Sequence, residues 1–405
     1  MTNNTKQYAD YAEEQIRHIC ESFGKREPGS KGERDSQEYL AGEIKQNGWA
    51  NEVSLQDFKV APKAFLIFTK ILPFLMAIGI GLFLLHPVAL IVAVAVSLFF
   101  FVSHMILYRL VLNPFFKKKT SVNLYAVKSP LGEVKRRIIF GGHADSAYEM
   151  TLGHKFGAKP AKLLIVTAIV GILVSLAMSI TALHFKMLGS YTDMHKWIFF
   201  GISVAFLPFI FLILFFIDFK TVVDGANDNL SASLVAVCVL KYLKDNNINY
   251  ENTEVCALNT GSEEAGLRGA KAFVKQNLSL LKDKNVETVF VGLETLGQLE
   301  HFQVISKDLN GIVKHDKRAV KLIDKSAEKH FDKPLPHKGV PLGSTDAAAF
   351  AQKGIPAVAI LGMEHTPAPF YHTRLDNADN LSVECMQKAF EVCITAVEIF
   401  NENGL

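Results

Sequence analysis

Five short stretches gather residues that could hold metal ions and move protons: GGHADS at 141–146, DGANDNLSAS at 224–233, NTGSEEAG at 259–266, GLETLG at 292–297 and FYHTRLDN at 370–377. A two-zinc hydrolytic centre needs a carboxylate that bridges the metals and a histidine and carboxylate for each of them. It also needs one further carboxylate free to act as a base. Taken singly these stretches say little: an isolated HxD is usually surface decoration, and an EE pair usually opens a solvated helix. Taken together they match one recipe, and each falls where a strand ends or a helix begins. His143 and Asp145 close RRIIFGG, Glu263 and Glu264 follow TEVCALNTGS, Glu294 closes ETVFVGL, and His372 follows PAVAIL after a loop.

The elements that must position these residues alternate along the chain. Strand-like runs are VSLQDFKV, SVNLYAV, RRIIFGG, TEVCALNT, ETVFVGLE and PAVAIL. Helical patterns cover 8–23 and 33–47, then ASLVAVCVLKYLKD, AGLRGAKAFVKQN, DKRAVKLIDKSAEKHF and VECMQKAFEVCITAVEIF. Ser30 reads as the N-cap of the second helix, with Glu33 three residues on as its capping-box partner. Alternating strands and helices predict an α/β fold with helices on both faces of a mixed, mostly parallel sheet. The carboxyl ends of such strands are where active sites gather.

Two apolar blocks interrupt this pattern. The chain has 405 residues, 49% hydrophobic, with a mean hydropathy of +0.20, and the excess lies at 64–111 and 162–218. The first block is too long for one span and breaks at His86-Pro87, predicting spans at about 64–85 and 88–110; the second holds two apolar runs of about 20 residues around HFKMLGSYTDMHK. The sequence therefore predicts four transmembrane helices in two hairpins. The hydrophilic domain is then discontinuous, at 1–63, 112–161 and 219–405. Lys59, Lys63, Arg109, Lys117, Lys118, Lys119, Lys155, Lys159, Lys162 and Lys220 flank the outer ends of the hairpins, while the turns carry only Lys186 and Lys196 with Asp193 between them. The positive-inside rule then puts the hydrophilic domain and both termini in the cytoplasm of an integral, multi-pass protein of the cell membrane. Lys70 and His104 sit near span ends, so the helices read as anchors rather than a transport pathway. Glycines at 79, 81, 171 and 201 offer faces for packing against a second copy, a homo-oligomer.

The order and wording of the five stretches resemble the family of aminopeptidase S, aminopeptidase Y, glutamate carboxypeptidase II and glutaminyl cyclase. The resemblance extends to REPGSKGERDSQEYLAGEIK and to GSTDAAAF before GIPA, and it covers about 25–390 outside the apolar blocks. It implies a three-layer α/β/α zinc-exopeptidase sandwich holding two Zn2+ per chain and acting on peptides. It makes His143 a ligand of one zinc, Asp228 the bridge, and Glu264 and His372 ligands of the other. Glu294 stands where the family usually has Asp, a side chain one methylene longer that can still ligate. Glu263 matches the general base, which takes a proton from the attacking water and returns it to the leaving amine. Asp145 matches the carboxylate that fixes the tautomer of His143, and Tyr371 matches a residue that in some relatives steadies the oxyanion. Asp346 lies in a motif whose next residue is usually His but here is Ala347, and it reads as structural. His301, His315, His330, His337 and His365 have no motif around them and read as surface or loop histidines.

Other observations bound the answer. The net charge is +3 and no basic stripe is interleaved with aromatics, so no nucleic-acid partner is expected. Five cysteines without CxxC spacing predict neither a disulfide framework nor a thiolate metal site. The polar, acidic opening MTNNTKQYADYAEEQ does not read as a signal peptide. The second apolar block separates His143 from Asp228, so an even number of crossings is required to return both to one side. Phe219 precedes Asp228 by nine residues (228 − 219), which places the centre within roughly 30 Å of the membrane end of the last span. Membrane-proximal or apolar peptides are the substrates this suggests. Removal of N-terminal residues is the first expectation. A carboxypeptidase, a glutaminyl-cyclase-like enzyme, or a non-catalytic receptor or scaffold on the same fold are the alternatives; the intact ligand set and Glu263 argue against the last.

Overall fold

A computed structural model describes residues 5–340, 343–364 and 368–405. Its strands are β1 Glu52–Val60, β2 Lys119–Lys128, β3 Arg136–His143, β4 Tyr148–Glu149, β5 Asp218–Val222, β6 Thr253–Thr260, β7 Glu287–Glu294, β8 Phe302–Asp308, β9 Val313–Lys314, β10 His337–Gly339 and β11 Ala357–Gly362. One sheet runs in the order β1-β2-β6-β3-β7-β11-β8-β10, with β9 on β8, and β4 and β5 form a small second sheet. The four central strands β6, β3, β7 and β11 are parallel. Antiparallel pairing flanks them, β1–β2–β6 on one side and β11–β8–β9 on the other.

The central strands are apolar on both faces, as parallel strands covered on two sides must be. Alternate residues sort cleanly between the layers. Ile138, Phe140, Val255, Ala257, Val289, Val291, Val358 and Ile360 join the core beneath the helices Lys6–Phe23, Lys31–Gln46, Ser231–Asp245, Lys317–Ala327 and Val383–Asn403. Ile139, Cys256, Leu258, Phe290, Ala357 and Ala359 join the opposite core under Arg268–Gln276 and Asp346–Ala351. The alternation is written in the packing and not in the hydropathy, and β3, β6, β7 and β11 were readable in the sequence as short apolar runs. Strands β8, β9 and β10 were not read from sequence: β9 and β10 are only two and three residues long, and β8, though buried over Phe302–Ile305, carries polar Gln303, Ser306, Lys307 and Asp308 among its apolar residues.

The chain divides into two compact units, 1–62, 117–148 and 222–405 in one, 63–116 and 149–221 in the other. The second contains three helical segments long and apolar enough to cross a membrane: Val88–Ile106, Ala158–Met187 and Asp193–Phe215. The fourth expected span differs. Its α-helix runs only Phe68–Phe83, 16 residues, and is preceded by a turn and a 3-10 segment at Pro62–Ala64. The expected break at His86-Pro87 is present, with Pro87 at the start of the next helix. In the second turn Thr192 caps the helix that follows, its hydroxyl accepting the His195 N–H. The helices pack through small residues: a Cβ on Gly79 would lie 2.4 Å from Ala93, and one on Gly171 would lie 2.5 Å from Phe206. Their outer faces leave Phe74, Ile78, Phe99, Leu163, Leu173 and Trp197 exposed. That inverts the arrangement of a water-facing bundle.

Candidate metal centre

Parallel register brings the strand ends to one edge. His143 of β3 stands opposite Thr260 of β6, Gly141 stands opposite Gly292 of β7, and Glu294 stands opposite Leu361 of β11. The helix Ser231–Asp245 starts directly over this edge, because Gly142 has no side chain where a Cβ would meet the Ser233 nitrogen at 2.8 Å. Ser233 Oγ then donates to the His143 carbonyl at 2.9 Å.

Asp228 lies at the middle of the resulting cluster. Its Oδ1 is 3.2 Å from His143 Nε2 and its Oδ2 is 3.1 Å from His372 Nε2. Glu264 Oε1 is 3.0 Å from the same His372 nitrogen, and Glu294 Oε2 is 4.0 Å from His143 Nε2. Two triads, His143–Asp228–Glu294 and Asp228–Glu264–His372, each offer ligand atoms close enough to hold one ion. They share Asp228. Glu263 Oε2 lies 3.8 Å from His143 Nε2, and His143, Glu263 and Glu264 form a third such group. Proximity alone therefore does not separate ligand from base at Glu263, which lies outside both Asp228 triads.

Asp145 is tied to two parts of the centre. Its carboxylate accepts the backbone N–H groups of Glu263 and Glu264 at 2.9 and 3.0 Å. Its carbonyl lies 3.3 Å from His143 Nδ1, with Oδ1 at 3.5 Å from the same nitrogen. Asp145 thus meets His143 Nδ1 with both its carbonyl and its carboxylate, and the carboxylate also holds the Glu263–Glu264 turn. Tyr371 stacks on His372, with centroids 4.0 Å apart. His372 itself adopts φ +52°. Asp346 is buried and accepts the Thr260 hydroxyl.

Several supporting residues were not expected from the sequence. Asp376 accepts the backbone N–H groups of Asn227 and Asp228 at 2.6 and 3.1 Å. Asn229 donates to Glu294 Oε2 at 2.9 Å. Arg26 is fully buried and donates to the carbonyls of Ala144 and Gly225, clamping the segments on either side of the cluster. None carries a motif by itself, although Asp376 lies four residues after His372. His315 lies in a loop, as one of the two expected placements, but it is buried and not at the surface: its Nε2 lies 3.2 Å from Asp308 Oδ2 and its backbone N–H donates to the Ser306 carbonyl, which turns the residue after β9 inward. His301, His330 and His337 lie away from the cluster, His330 on Thr395 and His337 on Asp324. His365 lies outside the described residues.

The electrostatics describe a place built for positive charge. Burial works to lower the pKa of both histidines, but the surrounding carboxylates overcome it. Asp145 and Asp228 hold His143 well above 6.5, while Glu264 and Asp228 push His372 up to about 10. Burial would raise Asp228, yet the two imidazoles hold it below the ordinary carboxylate range. Glu263 and Glu294 are pushed well above 4.5 by burial, opposed by His143, with neighbouring carboxylates adding to the rise. Burial also lifts Asp346 to about 6 and Asp376 to about 7. Glu294 Oε1 is buried without a hydrogen-bond partner among the described residues. Two imidazole nitrogens and this surplus of carboxylate oxygens make a donor set that fits two divalent cations of the zinc type.

Comparison with known proteins agrees with this architecture. Residues 214–397 match the family model described as Peptidase family M28, a range that holds Asp228, Glu263, Glu264, Glu294 and His372 but not His143. A search of curated protein sequences finds no match. Among solved structures, the chain is similar to BSAP, a zinc aminopeptidase from Bacillus subtilis, with TM-score 0.57 and 15% identity over 96% of this chain and 94% of that one. It is similar to a Bacteroides thetaiotaomicron glutaminyl cyclase at TM-score 0.57 and 14% identity, over 96% and 97%. It is similar to the Legionella pneumophila LapA aminopeptidase at TM-score 0.55 and 12% identity, over 98% and 71%. At these identities the likeness is one of fold. The family model matches less than half of the 405-residue chain.

Proposed function

We propose that this chain is a membrane-anchored, two-zinc metallopeptidase that removes N-terminal residues from membrane-proximal or apolar peptides. The observation that carries the reading is the pair of triads, His143–Asp228–Glu294 and His372–Asp228–Glu264, joined through one carboxylate. His143, Asp228 and Glu294 would hold one zinc, and Asp228, Glu264 and His372 the other. Bound zinc would acidify water and polarise a peptide carbonyl. Glu263, close to His143 Nε2 and outside both triads, is the proton carrier: it accepts from the attacking water and donates to the leaving amine. Its raised affinity for a proton suits both halves of that task. Asp145 holds the Glu263–Glu264 turn and restrains His143. Tyr371 is proposed to donate its hydroxyl to the developing oxyanion, a role its stacking on His372 supports. The long apolar helices, with large side chains turned outward, support anchorage in a bilayer.

The test is digestion of a library of short unblocked peptides by the full chain in nanodiscs, read by mass spectrometry, with metal counted by plasma emission. Sequential N-terminal trimming, abolished in Glu263→Gln with about two zinc retained, is the expected result. Cleavage that persists in Glu263→Gln sinks the mechanism. The similarity to glutaminyl cyclases favours one second reading, ring closure of an N-terminal glutamine. Glutamine-initiated peptides decide between them: loss of ammonia marks the cyclase, release of free glutamine the peptidase.

A further inference from the structure

Glu33 is fully buried, 0% exposed. Its spacing from Ser30 reads as a capping box, and Ser30 Oγ does accept the Glu33 N–H at 3.2 Å. The reciprocal half is different. Glu33 Oε2 accepts the Gly29 N–H at 2.8 Å, while Oε1 turns away from its own helix. It reaches Ser262, accepting the backbone N–H at 2.7 Å and the hydroxyl at 2.9 Å. Ser262 Oγ also lies 2.9 Å from Ser121 Oγ.

Ser262 immediately precedes Glu263 and adopts φ +53°, a left-handed conformation costly for a serine. The turn passes so close that a Cβ on Gly261 would lie 2.9 Å from Glu33 Oε1. Three successive backbone N–H groups are therefore claimed by two buried carboxylates. That of Ser262 goes to Glu33, and those of Glu263 and Glu264 go to Asp145. Asp145 alone fixes the two glutamates relative to β3. It does not reach Ser262, whose N–H and hydroxyl are held by Glu33 and whose carbonyl accepts the Arg268 N–H at 3.2 Å. A helix cap needs one side-chain acceptor near its own first turn. It does not need an acceptor oxygen delivered 229 positions away in the chain.

We propose that Glu33 is a positioning residue for Glu263, holding Ser262 in its left-handed conformation so that the base carboxylate stays within reach of the attacking water. The inference rests on the reading of Glu263 as base. Glu33→Gln keeps the shape but leaves one acceptor oxygen in place of two, so its NH2 must face the N–H of either Gly29 or Ser262. Ser262→Ala removes only the hydroxyl bond and leaves the backbone N–H in place. Both are assayed as full chains in nanodiscs, on the peptide cleaved fastest in the library digest, with kcat, KM, bound zinc and thermal midpoint measured together.

Misplacing the base costs turnover and not binding, so kcat is expected to fall between about tenfold and about a hundredfold in Glu33→Gln. KM should stay within about twofold and zinc should be unchanged. Ser262→Ala should lose several-fold in kcat in the same manner, and the double variant should lose less than the product of the two, because both act through one contact. An unchanged kcat in Glu33→Gln overturns the proposal. So does a fall in kcat accompanied by lost zinc or a raised KM, which marks general loosening of the fold. If Glu33→Gln does not fold, Ser262→Ala decides by the same criteria. A Glu263→Gln enzyme that remains active defeats the base assignment instead, and the two failures are told apart by which variant keeps its turnover.

Discussion

Zinc binding by this chain should release protons, and the number can be worked from the site. With no cation present, His372 is held up to about 10 and His143 well above 6.5, so both imidazoles carry a proton at pH 7. Each must lose it before Nε2 can ligate. Glu294 is pushed above 4.5 by burial and shifts the balance in the same direction. Loading both positions at pH 7 should therefore release about two protons per chain from the histidines. The sign follows directly: a group that binds its proton more tightly in the free site opposes the metal, so affinity rises with pH. Two protons make the overall two-metal constant fall about a hundredfold per unit of acidification, a factor of ten for each proton. The assay is titration calorimetry of the chelator-treated protein with zinc, repeated in buffers of different ionisation enthalpy, where the slope of apparent enthalpy counts protons. Release of less than about one proton per chain would refute the reasoning, because two neutral histidines have none to give.

The same accounting bears on the metal-free protein. Asp346, Asp376 and Glu33, at about 6, about 7 and about 8, bind protons more tightly folded than unfolded. Their contribution is present at low pH and is lost as pH rises through those values, and the raised histidines act in the same direction. The thermal midpoint of the chelated protein should thus fall between pH 5.5 and 8.5, with zinc restoring more at the upper end; a rising midpoint contradicts it. Asp376→Asn weakens the anchor on the Asn227 and Asp228 N–H groups and should cost about ten- to a hundredfold in zinc affinity, measured by competition with a chromophoric chelator. Gly171→Leu should destabilise the apolar helices by about 1–3 kcal/mol, read as a lowered midpoint in detergent. Gly201→Leu, whose Cβ would meet nothing within 4 Å, should leave the midpoint unchanged.

Much was legible before any coordinates. Strands β6 and β7 were expected at the residues they occupy, because both faces are covered and their apolar runs end sharply. The helix Val383–Asn403 and the break at Pro87 were likewise visible in periodicity and in proline chemistry. His143, Asp228, Glu263, Glu264, Glu294 and His372 could be picked out because strand-end position and residue type are both local properties. What the residues do to one another is not local. Asp228 lies 85 positions from His143 in the chain; the parallel register of β3, β6 and β7 brings His143 and Glu294 to one edge, and the segments carrying Asp228 and His372 fold over that edge to contacts of 3–4 Å.

The chain by itself therefore determined the donor types, their order and the apolar helices, since each is written in residue identity and spacing. Tertiary structure alone decided which carboxylates gather around the two histidines and which face backbone N–H groups. It enclosed His315, shortened the first apolar helix to Phe68–Phe83, and turned Glu33 from a cap into a brace for Ser262. The physical reason is the same in each case. A buried polar atom must find its partner wherever the packed fold brings one, and sequence distance places no limit on that.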